Sequence, residues 1–256
     1  MIDDTAKIHP EARLGNNVEV GPWTVIGPEV EIGEGTVIAS HVVIKGPTRI
    51  GKNNQIFQFS SVGEDCQDKK YSGEKTRLEI GDNNVIREAC SIHRGTVQDK
   101  GVTLIGSDNL FMVNVHIAHD VVIGDNTIVA NNAAIAGHVK IDDFAVLGGF
   151  AAVHQFCRIG QHSMSGAGSV ILKDVPAFVL VNGNTAVSHG INSEGLRRRD
   201  YSRDAISALR KAYKLAFRKG YTVAEAVAQI RELDYKGPEL EIFIDSLLTS
   251  TRGIVR

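Results

Sequence analysis

The stretch Val20-Gly-Pro-Trp-Thr-Val-Ile26-Gly-Pro-Glu-Val-Glu-Ile32 decides the fold, because its aliphatic residues return every six positions. A period of six is neither the 3.6 of a helix nor the 2 of a single strand, and it marks an internal repeat. Followed outward, the phase holds at Ile8, Leu14, Val20, Ile26, Ile32, Ile38, Ile44, Ile50, Ile56 and Val62. It lapses at Asp68 and Glu74 and returns at Ile80, Ile86 and Ile92. Shifted by one, it resumes at Ile105, Phe111, Ile117, Ile123, Val129, Ile135, Ile141, Leu147, Val153 and Ile159, breaks at Ser165 and closes at Ile171. The fourth residue after each is small or β-branched, as at Thr24, Val30, Ala133 and Ala151. This pattern predicts short strands joined by turns, coiling into a three-faced prism with one large and one small side chain inward per face. About nine coils at ~4.8 Å each make a prism roughly 45 Å long. Glycine often follows the aliphatic, as at Gly15, Gly21 and Gly33, and is expected to supply turn residues of unusual φ.

The phase breaks at 64–79 and 97–104 are polar and read as loops leaving the coil, where function often sits. Cys66, Cys90 and Cys157 fall on the small inward position and are expected to fill the core. Three cysteines suit a reducing compartment better than a disulfide framework. With 43% hydrophobic and 23% charged residues, disorder is excluded. A net charge of −2 removes the case for bulk nucleic-acid binding. No apolar run is long enough to span a bilayer and no signal peptide opens the chain, so a soluble cytoplasmic protein is expected.

After Pro176 the period changes to that of helices. Residues 202–219 carry Ile206, Leu209, Tyr213, Ala216 and Phe217 on one face, with Ser202 as N-cap and Gly220 as stop. Thr222 to Glu225 is a capping box, and Pro238 starts a third helix. The expected division is a β prism over 1–184 and a helical domain over 185–256. Residues 191–256 hold 13 Lys and Arg against 9 Asp and Glu, a solvated face or a docking patch for an acidic partner or a phosphate.

Six of nine histidines lie between 93 and 162: His93, His116, His119, His138, His154 and His162. None takes an inward position. His119 and His138 are nineteen residues apart, close to one coil, and should stack on one edge. General-base catalysis, metal binding through His116-x-x-His119 and purely structural hydrogen bonding are the three uses open to such a cluster. No phosphate loop, dinucleotide fingerprint or nucleophile elbow is present. Base-assisted acyl transfer is the chemistry best supplied.

Five segments carry a family resemblance: Ile92-His-Arg-Gly-Thr-Val97, His116-Ile-Ala-His-Asp120, Ala136-Gly-His-Val139, Val153-His-Gln-Phe-Cys157 and Asn192-Ser-Glu-Gly-Leu-Arg-Arg-Arg199. In this order, followed by a helical tail, they resemble the acyl-ACP–UDP-N-acetylglucosamine O-acyltransferase family over essentially the whole chain. The resemblance implies a left-handed parallel β-helix, a homotrimer with sites between subunits, and a Gram-negative cytoplasm. It implies transfer of an (R)-3-hydroxyacyl chain from acyl carrier protein to the 3-hydroxyl of UDP-N-acetylglucosamine, the first step of lipid A synthesis, with no cofactor and no metal. By the same resemblance His119 is the base, Asp120 its carboxylate partner and the Gly137 N–H the oxyanion donor. His116, His138 and Gln155 would hold the sugar nucleotide and acyl head, Asp68 and Lys70 supply loop contacts, and His93 and His154 line the cleft. Asn192, Glu194, Arg198 and Arg199 match the nucleotide end. Ala167 stands where the family measures acyl length, with glycine or a bulky methionine in other members. The competing readings are another hexapeptide acyl- or acetyltransferase, a zinc-dependent γ-class carbonic anhydrase, and a non-enzymatic trimeric scaffold.

Overall fold

The computed structural model describes residues 1–256. Two- to five-residue strands alternate with four-residue turns and wind into three sheets of nine, eight and ten strands. Successive strands go to successive sheets, so the sheets are the faces of a triangular prism. The first face begins with Lys7–Ile8, the second with Arg13–Leu14 and the third with Glu19–Val20. Pairing within a face is parallel and steps by 18 residues where no loop intervenes, as Ile8 to Ile26 and Ile117 to Ile135. The repeat aliphatics are the core: Ile26, Ile44, Ile86, Ile117 and Ile135 are all almost fully buried. Thr24, Val30, Ala133 and Ala151 are buried beside them, so each face contributes a large and a small residue to the interior.

Three details depart from the sequence expectation. Gly15 and Gly33 have ordinary φ; positive φ falls two residues later, at Asn17, Trp23, Glu29 and their equivalents. The glycines are there for close approach instead. A Cβ on Gly15 would lie 2.7 Å from the Glu34 nitrogen, and one on Gly33 2.5 Å from the Gly51 carbonyl carbon, both in the next coil. Ser165 does not interrupt the prism. It is buried in the strand Met164–Ser165, and its Oγ accepts the Gly148 N–H at 3.1 Å, so a hydroxyl fills the inward place. Cys90 and Cys157 belong to the core, and burial pushes both thiols up to about 11. Cys66 is buried too, but outside the core: the chain has left the coil by residue 65, and the sulfur accepts the Asp68 N–H at 3.2 Å.

At its C-terminal end the third face adds an antiparallel hairpin, Val179–Asn182 with Val187–Ile191. Residues 184 and 185 lie in the turn of this hairpin. Four helices follow: α1 (Ser193–Arg198), α2 (Arg203–Arg218), α3 (Val223–Arg231) and α4 (Pro238–Leu248). Ser202 caps α2 by accepting the Ala205 N–H, and the Thr222/Glu225 capping box opens α3. The short α1, capped by Asn192, was not anticipated from periodicity, because one and a half turns show no 3.6 repeat. The chain end returns to the prism on Asp174. This buried carboxylate accepts the Arg158 N–H on one oxygen and the Ser250 hydroxyl and the Thr251 and Arg252 N–H groups on the other.

Candidate active site

The prism has three corners, and the corner from the first to the second face carries both long loops. The chain leaves it between Glu64 and Arg77 and again between His93 and Val102. The next turns on the same corner are His119-Asp120, Gly137-His138 and Gln155-Phe156. Their backbones are tied in sequence: the His138 N–H donates to the His119 carbonyl at 3.1 Å and the Phe156 N–H to the Gly137 carbonyl at 3.2 Å. An 18-residue coil thus gathers residues from distant motifs onto one edge.

His119 Nδ1 lies 2.9 Å from Asp120 Oδ2, so these sequence neighbours face each other. Asp120 is 3% exposed; burial pushes its carboxyl up, but hydrogen bonds from His119 and from the Thr96 hydroxyl and N–H outweigh that and hold it below the usual carboxylate range. An ionised Asp120 can only accept, so His119 Nδ1 is the donor in this contact. Gly137 packs its Cα against this ring. A Cβ there would stand 2.5 Å from Cε1 and 2.6 Å from Nε2, so only glycine permits the contact, and the Gly137 N–H donates to no protein acceptor.

The other histidines form a graded set. His138 meets His119 edge-on at 5.0 Å and 88° rather than stacking on it; its stacked partner is Phe156, at 4.4 Å and 4°. His138 Nδ1 also lies 3.2 Å from Asp99. His116 Nδ1 is 2.8 Å from the Ser91 hydroxyl, and His93 meets its ring edge-on at 5.0 Å. Burial, with His116 alongside, lowers His93 to about 4, and burial also lowers His116. Both are therefore neutral near pH 7. His162 belongs elsewhere, on the next corner, stacked between Phe144 and Phe178 with Nε2 2.8 Å from the Tyr201 hydroxyl.

Two cavities meet at His119. One, about 440 Å³, lies on the first face and is lined by Ala118, Ala134, Ala136 and Ala152 together with His93, His116 and Asp68. The other, about 470 Å³, is almost wholly polar and includes Asp68, Lys70, Thr96, Asp99, His138 and Gln155. A groove of about 580 Å³ on the second face is lined by paired charges, Arg13 with Glu31 and Arg77 with Glu79, and holds no histidine. His154 opens the Gln155 turn, exposed, with Nδ1 3.1 Å from the Gln155 carbonyl.

The remaining predicted residues lie on other corners of the same chain. Asn192 caps α1 through Oδ1 and donates Nδ2 to the His162 carbonyl at 3.1 Å. Glu194 pairs with Arg197 and Arg198, and Arg199 lies over the Phe144 ring at 5.0 Å. Ala167 is exposed on the third corner. Sequence reading missed Thr96, Asp99 and Phe156. Thr96 and Phe156 stand inside two of the motifs quoted above and Asp99 in the second phase break, which were the available signals.

His116 joins no cluster of three potential ligands with His119. His119, Asp120 and His138 do bring ligand atoms within 4.8 Å of one another. Yet Asp120 Oδ1 already accepts the Thr96 N–H, and Oδ2 accepts both the Thr96 hydroxyl and His119, so the carboxylate is occupied by donors from the protein.

Comparison with known proteins agrees over the full chain. Residues 1–46 and 103–137 match the bacterial transferase hexapeptide family, and residues 174–255 match domain 2 of the UDP-N-acetylglucosamine O-acyltransferases. The acyl-(acyl-carrier-protein)–UDP-N-acetylglucosamine O-acyltransferase of Stutzerimonas stutzeri is 60% identical over 256 residues, covering 100% of this chain and 99% of that one. The chain belongs to this family. Its enzyme from Psychrobacter is 56% identical, covering 100% of this chain and 94% of that one. The solved structure of LpxA from Acinetobacter baumannii superposes with a TM-score of 0.97 at 56% identity, covering 100% of this chain and 99% of that chain. The Arabidopsis enzyme still reaches 0.87 at 36%, covering 100% of each. The prism is the left-handed parallel β-helix of these acyltransferases, followed by their helical domain. The carbonic anhydrase reading is not favoured.

Proposed function

We propose that the protein transfers an (R)-3-hydroxyacyl chain from acyl carrier protein to the 3-hydroxyl of UDP-N-acetylglucosamine, the reaction for which its relatives are named. The observation that carries this reading is the position of His119 between an apolar-walled and a polar cavity. The acyl chain would lie along Ala134 and Ala152, and the sugar diphosphate on the polar side near Lys70 and Gln155. His119 Nε2 takes the proton of the sugar hydroxyl as its oxygen attacks the thioester carbonyl. The tetrahedral oxyanion takes the free Gly137 N–H. Its collapse breaks the C–S bond, and the imidazolium returns the proton to the carrier thiol. His93 and His116, kept neutral, avoid repelling that imidazolium.

The chemistry of the faces supports a homotrimer. From Val85 onward the outward residues of the third face are apolar in register, Val85, Leu110, Ile128, Val146, Met164 and Leu180, after Glu19, Val37 and Gln55 in the first coils. The second face instead presents mostly charges, Arg13, Glu31, Arg49, Glu79, Lys140 and Arg158, with Leu104 and Val122 between Glu79 and Lys140. The charged face suits solvent, and the apolar one suits a neighbouring copy against its first face, a head-to-tail contact that closes as a ring. With third corners inward, the cleft between copies has the His119 corner of one chain and the Arg199 corner of the next as its rims. Asn192, Glu194, Arg198 and Arg199 would then serve the nucleotide in the neighbour's site, and Ala167 would end the acyl path. The basic α2 suits the acidic carrier protein, and no helix is long and apolar enough to cross a membrane. A cytoplasmic setting follows from this substrate pair.

Mass spectrometry of the product formed from UDP-N-acetylglucosamine and a mixture of 3-hydroxyacyl carrier proteins tests the reading. An O-linked hydroxyacyl sugar nucleotide is expected; no acylated product overturns it. Light scattering should give three times the 27.7 kDa of one chain.

A further inference from the structure

The shortest hydrogen bond to the His119–Asp120 pair comes from a residue outside it. Thr96 lies in the loop between His93 and Val102 and grips Asp120 with two donors. Its N–H reaches Oδ1 at 2.9 Å and its hydroxyl reaches Oδ2 at 2.6 Å. Both residues are buried, Thr96 at 1% and Asp120 at 3% exposure. Oδ2 is also the oxygen that faces His119. The Thr96 hydroxyl and the imidazole therefore share one carboxylate oxygen, and the rotation of the carboxylate is set from the loop. The Asp120 N–H, held by the Thr103 hydroxyl at 2.9 Å, anchors the same turn from behind.

Thr96 also shapes its own loop. Its carbonyl accepts the Asp99 N–H at 3.3 Å and the Gly101 N–H at 3.0 Å, closing a turn that places Asp99 against His138. His138 in turn meets His119 edge-on.

We infer that Thr96 is a positioning residue for the base: it orients the Asp120 carboxylate toward His119 and couples the fold of the 94–101 loop to proton transfer. The inference rests on the reading of His119 as base. The direction of its effect follows from electrostatics. A hydroxyl donated to Oδ2 draws off part of the charge that stabilises the imidazolium. Without it, Asp120 holds the protonated form of His119 more tightly, and the acid limb of the rate profile moves to higher pH. The other titratable and charged groups around the pair are His138 with Asp99 behind it, Cys66, His116, His93, and Asp68 and Lys70 across the cavities. All are unchanged by a substitution at 96.

The test compares Thr96→Val, Thr96→Ala and Thr96→Ser, each checked for trimer mass and circular dichroism, with His119→Ala in parallel. Val and Ala keep the backbone N–H and lose only the hydroxyl. For whichever of these folds, kcat should fall about tenfold or more while KM for UDP-N-acetylglucosamine stays within about twofold, and the acid limb of kcat/KM should move up in pH. Thr96→Ser should restore both rate and profile. A variant without the hydroxyl that keeps wild-type kcat, or loses rate with an unmoved acid limb, overturns the inference, as does failure of serine to rescue. If His119→Ala is active, the base assignment itself is wrong. If His119→Ala is dead while Thr96→Val behaves as wild type, only the role of Thr96 falls.

Discussion

At the scale of single residues, the site depends on contacts too close to admit substitution. Gly137 lies where any side chain would strike the His119 imidazole, 2.5 Å from Cε1. That ring cannot simply swing aside, because its Nδ1 is bound to a buried carboxylate. Gly137→Ala should therefore break the His119–Asp120 contact, and kcat should fall about 10²–10³-fold with unchanged circular dichroism. Activity within threefold of wild type would show that the ring is free to move. Ala167 makes the opposite case, an exposed methyl on an open corner. If it ends the acyl path, each methylene accommodated is worth about 0.8 kcal/mol, or roughly fourfold in selectivity. Ala167→Met should shift donor preference toward shorter chains, scored as ratios of kcat/KM between competing donors. An equal loss for all donors would deny residue 167 that role.

At the scale of elements, the helical domain is tied to the prism through Asp174 rather than through helix packing alone. Its carboxylate satisfies three backbone N–H groups and a hydroxyl, all at the chain end or in the Arg158 strand. Asp174→Ala leaves those part-buried donors without their protein partner, at up to about 1–3 kcal/mol for each group that water does not reach. Thermal unfolding should show a clear fall in the midpoint, and proteolysis should clip residues 250–256 first. An unchanged midpoint would mean that water replaces the carboxylate. The turns make a related point about elements. Repeat glycines permit close stacking of coils, while asparagine, aspartate and aromatic residues take the positive φ, so the two properties usually credited to glycine are divided between two positions.

At the scale of the whole molecule, acid should weaken the fold. His93 and His162 are each held neutral at about 4, by burial first and then by His116 and Arg199 respectively, against an ordinary value of 6.5. The unfolded chain takes up these protons below pH 6.5 while the folded chain does not, so their contribution is complete above 6.5 and is lost as pH falls toward 4. The unfolding midpoint should drop across that window, and His162→Phe should flatten part of the drop. A midpoint constant from pH 7 to 4.5 would contradict it. Assembly gives a second expectation. If each site joins the His119 corner of one chain to the Arg199 corner of the next, His119→Ala and Arg199→Ala chains, each impaired alone, should complement when co-assembled. Random mixing restores about a quarter of the interfaces. No recovery in mixed trimers would place both residues in a site made by one chain.

The six-residue period by itself determined the prism and its inward residues, because core burial demands an apolar side chain at a fixed step along the chain. Capping signals at Ser202, Thr222 and Pro238 were equally legible, since a helix end is satisfied by residues within a few positions of it. The histidine cluster was visible as a group, and its motifs pointed to His119 and Asp120. Only the tertiary structure decided which groups meet. Both loops leave the corner that carries His119, so Thr96 reaches Asp120 across 24 positions and Asp99 reaches His138 across 39. Neither separation is a multiple of the 18-residue coil, because the inserted loops break the count. Whether a buried position holds a core cysteine or one in a loop, as at Cys66, is likewise decided by where the chain leaves the coil, and no local pattern records it.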